Sequence, residues 1–380
     1  MQYNNILFYS HPMNELLKQE IAISLIPGIG PVLAKTLISY CGGVEAVFKC
    51  SAAKLVKIPG IGPSVAKSIV NHSVFENAEK ELLFIEKNKI IPLFYYDKRY
   101  PERLKRCPDS PLILYYKGNA ELNASRIISI VGTRTATDYG KFNTEKLVED
   151  LVAMDVLVIS GMAYGIDICA HKAALKNNLQ TVGVFGHGLD RVYPSEHRVV
   201  AEKMLNQGGL LTEYISGTNP DRTNFPMRNR IVAGLADATI VIEASRKGGA
   251  LITAELANSY HRDVFAYPGR VTDTYSQGCN NLIKTNRAAL IESARDLQYI
   301  MGWENHPEKA APIQKKLFLE YNPEEKVILD LFNESDSLTI DAICFKSNFT
   351  PGKVAGILLN LEFEGIVKSL PGKVYQLAMN

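Results

Sequence analysis

Two neighbouring stretches decide the fold: Ile127-Ile128-Ser129-Ile130-Val131-Gly132-Thr133-Arg134 and Val156-Leu157-Val158-Ile159-Ser160-Gly161-Met162-Ala163-Tyr164-Gly165. Each is a short apolar run that breaks at glycine and leads into a helical pattern. The texture continues to residue 300, with further strand candidates at Thr181–Phe185, Gly209–Leu211, Thr239–Ile242, Val264–Ala266 and Ala288–Ile291. Short apolar strands alternating with helices are buried on both faces. The pattern predicts an α/β fold, an extended Rossmann-like, doubly wound and mostly parallel sheet.

On the N-terminal side, residues 84–118 alternate apolar bursts with Pro- and charge-rich turns and read as short strands leading into this sheet. Before them, Ile26-Pro27-Gly28-Ile29-Gly30-Pro31 recurs as Ile58-Pro59-Gly60-Ile61-Gly62-Pro63. A Gly-Ile-Gly turn between amphipathic stretches, with proline opening the next helix, predicts a tandem helix-hairpin-helix domain over residues 1–83. On the C-terminal side, a polar linker over residues 304–314 separates the sheet domain (84–303) from residues 315–380. That last unit reads helix, helix, helix and a hairpin with Pro371-Gly372 in its turn, the order of a winged helix.

Composition narrows the function classes. The 380 residues carry 42 Lys+Arg against 40 Asp+Glu, a net charge of +2, which excludes a binder that holds nucleic acid by bulk charge. No run of about 18 apolar residues marks a membrane span. Met1–Ser10 lacks the basic and apolar regions of a signal peptide. The six cysteines form no C-x-x-C pair, which argues against zinc and against a disulfide framework and suits a reducing cytoplasm.

Ligands of open α/β sheets sit at the carboxyl ends of the strands. Here those ends read Gly132-Thr133-Arg134, Ser160-Gly161-Met162-Ala163, Gly186-His187-Gly188, Phe225-Pro226-Met227-Arg228-Asn229-Arg230 and Ser245-Arg246-Lys247-Gly248-Gly249. Glycines admit close backbone approach, helix N-termini favour anions, and arginine suits phosphate oxygens. Repeated along the chain, with Arg134, Arg228, Arg230, Arg246 and Lys247, they predict an extended phosphate track. The track does not fit a bound dinucleotide or nucleoside triphosphate, because both G-x-G-x-x-G and G-x-x-x-x-G-K-[ST] are absent. No cofactor is expected. A catalytic set is hard to assemble. Asp167 and His171 share a helix face, His187 lies between glycines, and Glu243 and Glu255 flank Gly248-Gly249, but each also has a structural reading. Ser160 lacks a nucleophile-elbow context.

The set Ser129–Arg134, Ser160–Asp167, Ala170-His171, Gly188–Asp190 with Tyr193-Pro194, Phe225–Gly234, Leu251–Ala254, Tyr267–Gly269, Gly278–Asn280 and Leu282-Ile283 resembles the DNA-processing protein A (DprA/Smf) family over roughly residues 90–300. The resemblance implies a protein that binds and protects incoming single-stranded DNA in natural transformation and helps load the recombinase RecA. It also implies a homodimer formed through the Rossmann-like domain and no catalytic turnover. It places phosphate contacts at Gly132, Arg134, Gly161, Met162, Ala163, Gly186, Arg228, Arg230, Lys247, Gly248 and Gly249, and Asn229 between the arginines is a further candidate. Two positions depart from the family pattern, His187 and Gly248-Gly249-Ala250.

Tyr164 and Phe225 beside the track are candidates to stack on bases. Gly28, Gly30, Gly60 and Gly62 are auxiliary DNA-binding candidates, with packing as the alternative. Residues 315–380 hold seven Lys+Arg against nine Asp+Glu, which favours a protein-interaction or regulatory role for the winged helix. The rival reading is a Rossmann-like hydrolase of nucleoside monophosphates, resting on Gly248-Gly249 followed by Thr253 and Glu255.

Overall fold

The structure is a computed structural model. It describes residues 11–303 and 321–378, apart from positions 334, 336 and 371. The expected linker, the expectation for Met1–Ser10 and Pro371 of the expected hairpin turn lie outside the described residues. The chain divides into two compact units, Met1–Glu304 and Asn305–Asn380.

The first unit is built on a nine-stranded sheet. Its strands are β1 (Ile91–Phe94), β2 (Ile113–Gly118), β3 (Ile127–Val131), β4 (Leu157–Ser160), β5 (Thr181–Val184), β6 (Gly208–Thr212), β7 (Ala238–Val241), β8 (Asp263–Ala266) and β9 (Ala289–Leu290). They lie in the order β1-β2-β6-β5-β4-β3-β7-β8-β9. Pairing is parallel from β6 across to β9, while β1–β2 and β2–β6 are antiparallel. Alternation along each strand sends side chains to two cores. Ile128, Ile130, Val158 and Ile240 pack under Leu147, Val148, Ala170 and Ala174 on one face. Ile127, Val131, Leu157, Ile159 and Val241 pack under Ile231, Val232, Leu235, Ala254 and Ala257 on the other. Helices on both faces explain why these strands read as continuous apolar runs.

The order reverses at β3. Chain order runs outward from β3 through β4, β5 and β6 on one side, then resumes with β7 on the other. The crevice outside the carboxyl ends of β3 and β7 is therefore the switch point at which such sheets take ligands.

The repeat at the N-terminus forms the expected hairpins. Helices His11–Ser24 and Pro31–Cys41 flank Gly28–Gly30, and Ala52–Leu55 and Pro63–Val70 flank Gly60–Gly62. Pro31 and Pro63 stand in the first turns of their helices. Ile21, Leu37, Ile38, Leu55, Ile69 and Ile85 form one core with Phe94 of β1 and Ile113 and Tyr115 of β2. The helices and the sheet edge therefore share buried surface, and helix Phe75–Asn88 runs across the boundary expected at residue 83.

The second unit has helices Pro323–Leu331, Ile340–Ser347 and Pro351–Phe363. Its antiparallel sheet consists of β10 (Leu338–Thr339), β11 (Val367–Leu370) and β12 (Val374–Leu377), in the order β10-β12-β11. Ile328, Ile343, Val354, Leu358, Leu361 and Val367 fill its core. This is the expected winged-helix order with one additional short strand.

Candidate nucleic-acid interface

A cleft of about 830 Å³ opens at the switch point. Gly132, Thr133, Arg134 and Thr135 line it from the turn after β3, and Gly161, Ala163 and Asp167 from the turn after β4. The helix Asn224–Leu235 adds Phe225, Arg228 and Asn229, and the start of helix Gly249–Ser259 with the loop before it adds Lys247, Gly248 and Gly249. The turns are stitched to one another. The Thr133 amide donates to the Glu243 carbonyl at 2.8 Å, and the Ile166 amide donates to the Thr133 carbonyl at 3.2 Å. Gly165 has φ +76°, and a Cβ there would overlap the Thr133 carbonyl, so only glycine lets the turn close.

The cations fall into two kinds. Arg134 and Lys247 are exposed, line the cleft and make no ion pair with any described residue. Arg222, which no sequence motif marks, joins them with the same freedom. It lies in the loop just ahead of the Phe225–Arg230 segment, and its charge alone was a signal. The Arg134 guanidinium lies 5.6 Å from the centre of the Phe225 ring.

Arg228 is different. Although it lines the cleft, it is only 4% exposed, and its Nη1 donates to the Val184 carbonyl at 2.9 Å. It packs against Gly161, where any Cβ would overlap the guanidinium. Burial pulls the Arg228 pKa down and pushes the neighbouring Asp167 carboxyl up, while the charge of each opposes the other's shift. Asp167 also accepts from the Ala163 amide at 3.3 Å. Arg228 and Asp167 together form the buried floor of the cleft.

Four of the expected track residues, Arg230, Met162, Gly186 and Arg246, do not line the cleft. Arg230 is two positions beyond Arg228 and so about 200° round the helix. Its side chain is buried in an ion pair with Glu213 and donates to the Asp109 carbonyl at 2.5 Å. Met162 is 1% exposed and packs with Phe185, Ala201 and Met204. Gly186 lies beneath Phe225, whose Cδ1 would sit 3.2 Å from a Cβ there. Arg246 is exposed but stands outside the cleft lining.

The aromatic candidates separate as well. Phe225 lines the cleft beside Tyr193, with ring centres 6.0 Å apart and planes 31° from parallel. In the sequence Tyr193 stands out only as half of a Tyr-Pro pair. Tyr164 lies outside the lining and donates to Glu196 at 3.1 Å.

The groups considered as acids or bases are engaged as follows. Ser160 Oγ donates to the Ile130 carbonyl at 2.6 Å. The Thr181 hydroxyl donates to the Val158 carbonyl at 3.0 Å, so at 2.7 Å it accepts from His171 Nδ1. His171 is fully buried, which pushes its pKa down to about 3 and keeps it neutral. His187 is also buried, and its Nδ1 donates to the Gly188 carbonyl at 2.8 Å. Glu243 accepts from the Thr137 amide at 3.0 Å and from its hydroxyl, at the start of helix Asp138–Asp150. Glu255 pairs with Arg287 at 2.8 Å on the surface. Among the described residues no cluster of three His, Cys, Asp or Glu could hold a metal ion, and no helix is long and apolar enough to cross a membrane.

The two hairpins are not equivalent. Gly30 borders a groove closed by Pro111, Leu112, Glu213 and Tyr214, and nearby Lys35 donates to the Ser110 carbonyl at 2.7 Å. Gly60 and Gly62 lie outside that groove's lining, although all four glycines are exposed, and a Cβ on Gly60 would sit 3.1 Å from Leu33 Cδ2.

A doubly wound sheet with cations and aromatic rings at its switch point defines a Rossmann-like protein. The chain matches the family model for DNA recombination-mediator protein A over residues 92–301, and it belongs to that family, DprA/Smf. Residues 20–72 match a SAM-like helix-hairpin-helix tandem, and residues 307–373 match the DprA winged helix domain. Protein Smf of Synechocystis sp. is 34% identical over 94% of this chain and 97% of its own length. DNA processing protein DprA of Streptococcus pneumoniae is 40% identical over 53% of this chain and 71% of its own. The X-ray structure of DNA processing protein A from S. pneumoniae superposes with a TM-score of 0.65 at 32% identity, covering 75% of this chain and 96% of that one. A structure of the Helicobacter pylori protein, described for its unique single-stranded DNA binding mode, gives 0.52 at 28% identity, covering 57% and 96%. The expected fold class, with its helix-hairpin-helix and winged-helix additions, agrees with these matches.

Proposed function

We propose that this chain binds single-stranded DNA along the switch-point cleft, protects it, and helps load RecA during DNA recombination, including natural transformation, in the cytoplasm. The observation that carries the reading is the set Arg134, Arg222 and Lys247, uncompensated cations around one cleft that also holds Phe225 and Tyr193. Free cations follow a phosphate backbone, and rings that reach the cleft accept any base, so the site suits a single strand without sequence preference. The single-strand binding described for the H. pylori relative supports the same reading. The proposed contacts are Gly132, Arg134, Gly161, Ala163, Asn229, Lys247, Gly248 and Gly249, with Arg222 added and Arg228 as the floor. Gly28, Gly30, Gly60 and Gly62, all exposed, are the proposed auxiliary positions, with Gly30 beside the groove that Glu213 borders. We also propose a homodimer through the sheet domain, which sedimentation tests. The nucleoside-monophosphate hydrolase reading gains nothing from Glu243 and Glu255, which are committed to Thr137 and Arg287. The deciding experiment is a salt series of gel shifts with single-stranded DNA on wild type, Arg134→Ala and Lys247→Ala, followed by RecA assembly on the bound strand. Undiminished single-strand affinity in both variants would overturn the cleft assignment.

A further inference from the structure

Cys50 stands nine positions after Cys41, a spacing that suggests neither a metal knuckle nor a redox motif. The fold nevertheless brings their sulfurs to 3.6 Å. Helix Pro31–Cys41 ends on Gly42 at φ +85°, and Gly43 at φ +147° starts helix Val44–Lys49. Both glycine amides donate to the Ile38 carbonyl at 3.0 Å, which closes the reversal and returns Cys50 beside Cys41. Both thiols are partly exposed at the rim of the helical core. Of the other four cysteines, Cys107 and Cys279 are buried and Cys169 and Cys344 partly exposed. No thiol–thiol contact joins any of those four.

We propose that Cys41 and Cys50 are an oxidation site that takes a peroxide and closes to an intramolecular disulfide. Two sulfurs in contact need approach by only about 1.5 Å to reach the S–S bond length of about 2.05 Å. Either thiol of the contacting pair can meet the peroxide first, and the steps that follow attack by Cys50 are mirrored for attack by Cys41. The Cys50 thiolate displaces hydroxide from the O–O bond and becomes a sulfenic acid, and the proton it gave up converts that hydroxide to water. The Cys41 sulfur then attacks the sulfenic sulfur. The S–S bond forms, the S–O bond breaks, and the leaving hydroxide takes the Cys41 proton as a second water. The two sulfurs together lose two electrons, and the peroxide gains them. The product ties the second helix of the first hairpin to the entrance of the second hairpin, and a dithiol reductant reverses it.

The test is hydrogen peroxide titration of the full chain, followed by intact mass and tryptic mapping without reduction. Cleavage after Lys35, Lys49 and Lys54 puts Cys41 on peptide 36–49 and Cys50 on peptide 50–54, so the disulfide appears as those two peptides joined. The expected result is loss of two hydrogen atoms per chain and that joined pair. It should be absent from Cys41→Ser and from Cys50→Ser and restored to separate peptides by dithiothreitol. Sulfinic acid on unjoined cysteines, pairing with Cys107 or Cys169, cross-linking between chains, or no oxidation of a folded sample would each overturn the proposal.

Discussion

Gly161 and Arg228 occupy one space: a methyl group on residue 161 would coincide with the Arg228 guanidinium. The glycine at the end of β4 therefore makes room for a buried cation as well as for any ligand. Gly161→Ala must push Arg228 off the Val184 carbonyl or shift the turn. Overpacking of this kind costs about 1–3 kcal/mol. The expected outcome is a lower denaturation midpoint in urea with an unchanged m-value, together with weaker binding at the cleft.

Arg230 makes the contrasting case. Its ion pair with Glu213 is nearly closed to solvent, and burial already pushes the Glu213 carboxyl up against the pull of Arg230. Arg230→Met would leave that carboxylate buried without its partner, at about 3–5 kcal/mol. Stability should fall by that order in chemical denaturation. Single-strand affinity, measured where the variant is still folded, should stay near wild type because Arg230 does not reach the cleft. A binding defect without a stability defect would return Arg230 to the interface.

His171 gives the fold an acid sensitivity whose sign is fixed. Its folded pKa lies near 3 against an ordinary value of 6.5, because burial disfavours the charged ring. Between those values the unfolded chain binds a proton that the folded chain refuses, so His171 costs stability as pH falls below 6.5. The slope approaches about 1.4 kcal/mol per pH unit. Buried Asp167 and Glu213, both pushed up, act in the opposite direction as they protonate, so the measurement must be a difference. The stability of wild type relative to His171→Gln should decline from pH 7 to pH 5. A constant difference would mean that the imidazole is not held neutral.

The sheet was legible because each strand is an apolar run cut off by glycine, and both faces of such a strand must be covered. The hairpins were legible because the repeat carries its own turn and helix-start chemistry. Arg228 and Arg230 show where reading stops. They look alike in sequence, and only packing separates a residue that floors the cleft from one that braces the opposite side. Arg222 and Tyr193 were missed for a related reason. They stand in irregular segments, where no periodicity says which way a side chain points. The difference between the two hairpins depends on Glu213 and Pro111 from distant strands and turns. Likewise, the meeting of Cys41 with Cys50 depends on two left-handed glycines, not on spacing.

Salt dependence should divide the cleft into two kinds of contact. Each phosphate neutralised on a single strand contributes a slope of about −0.7 in log K against log salt. Arg134→Ala, Arg222→Ala and Lys247→Ala should each flatten the slope by about that amount. Their stability should be nearly untouched, since the charges are exposed and unpaired. Phe225→Ala and Tyr193→Ala should instead weaken binding by about 1–3 kcal/mol for each stacked base. For Tyr193→Ala the slope should be unchanged, because a ring displaces no counterions. Phe225→Ala also releases the Arg134 guanidinium from the ring 5.6 Å away, so a small change of slope is expected there alone. Equilibrium titrations of a fluorescent oligothymidylate at several salt concentrations read affinity and slope together. Parallel slopes in all five variants would mean that the cations do not meet phosphates, and the strand would then have to run elsewhere on the sheet.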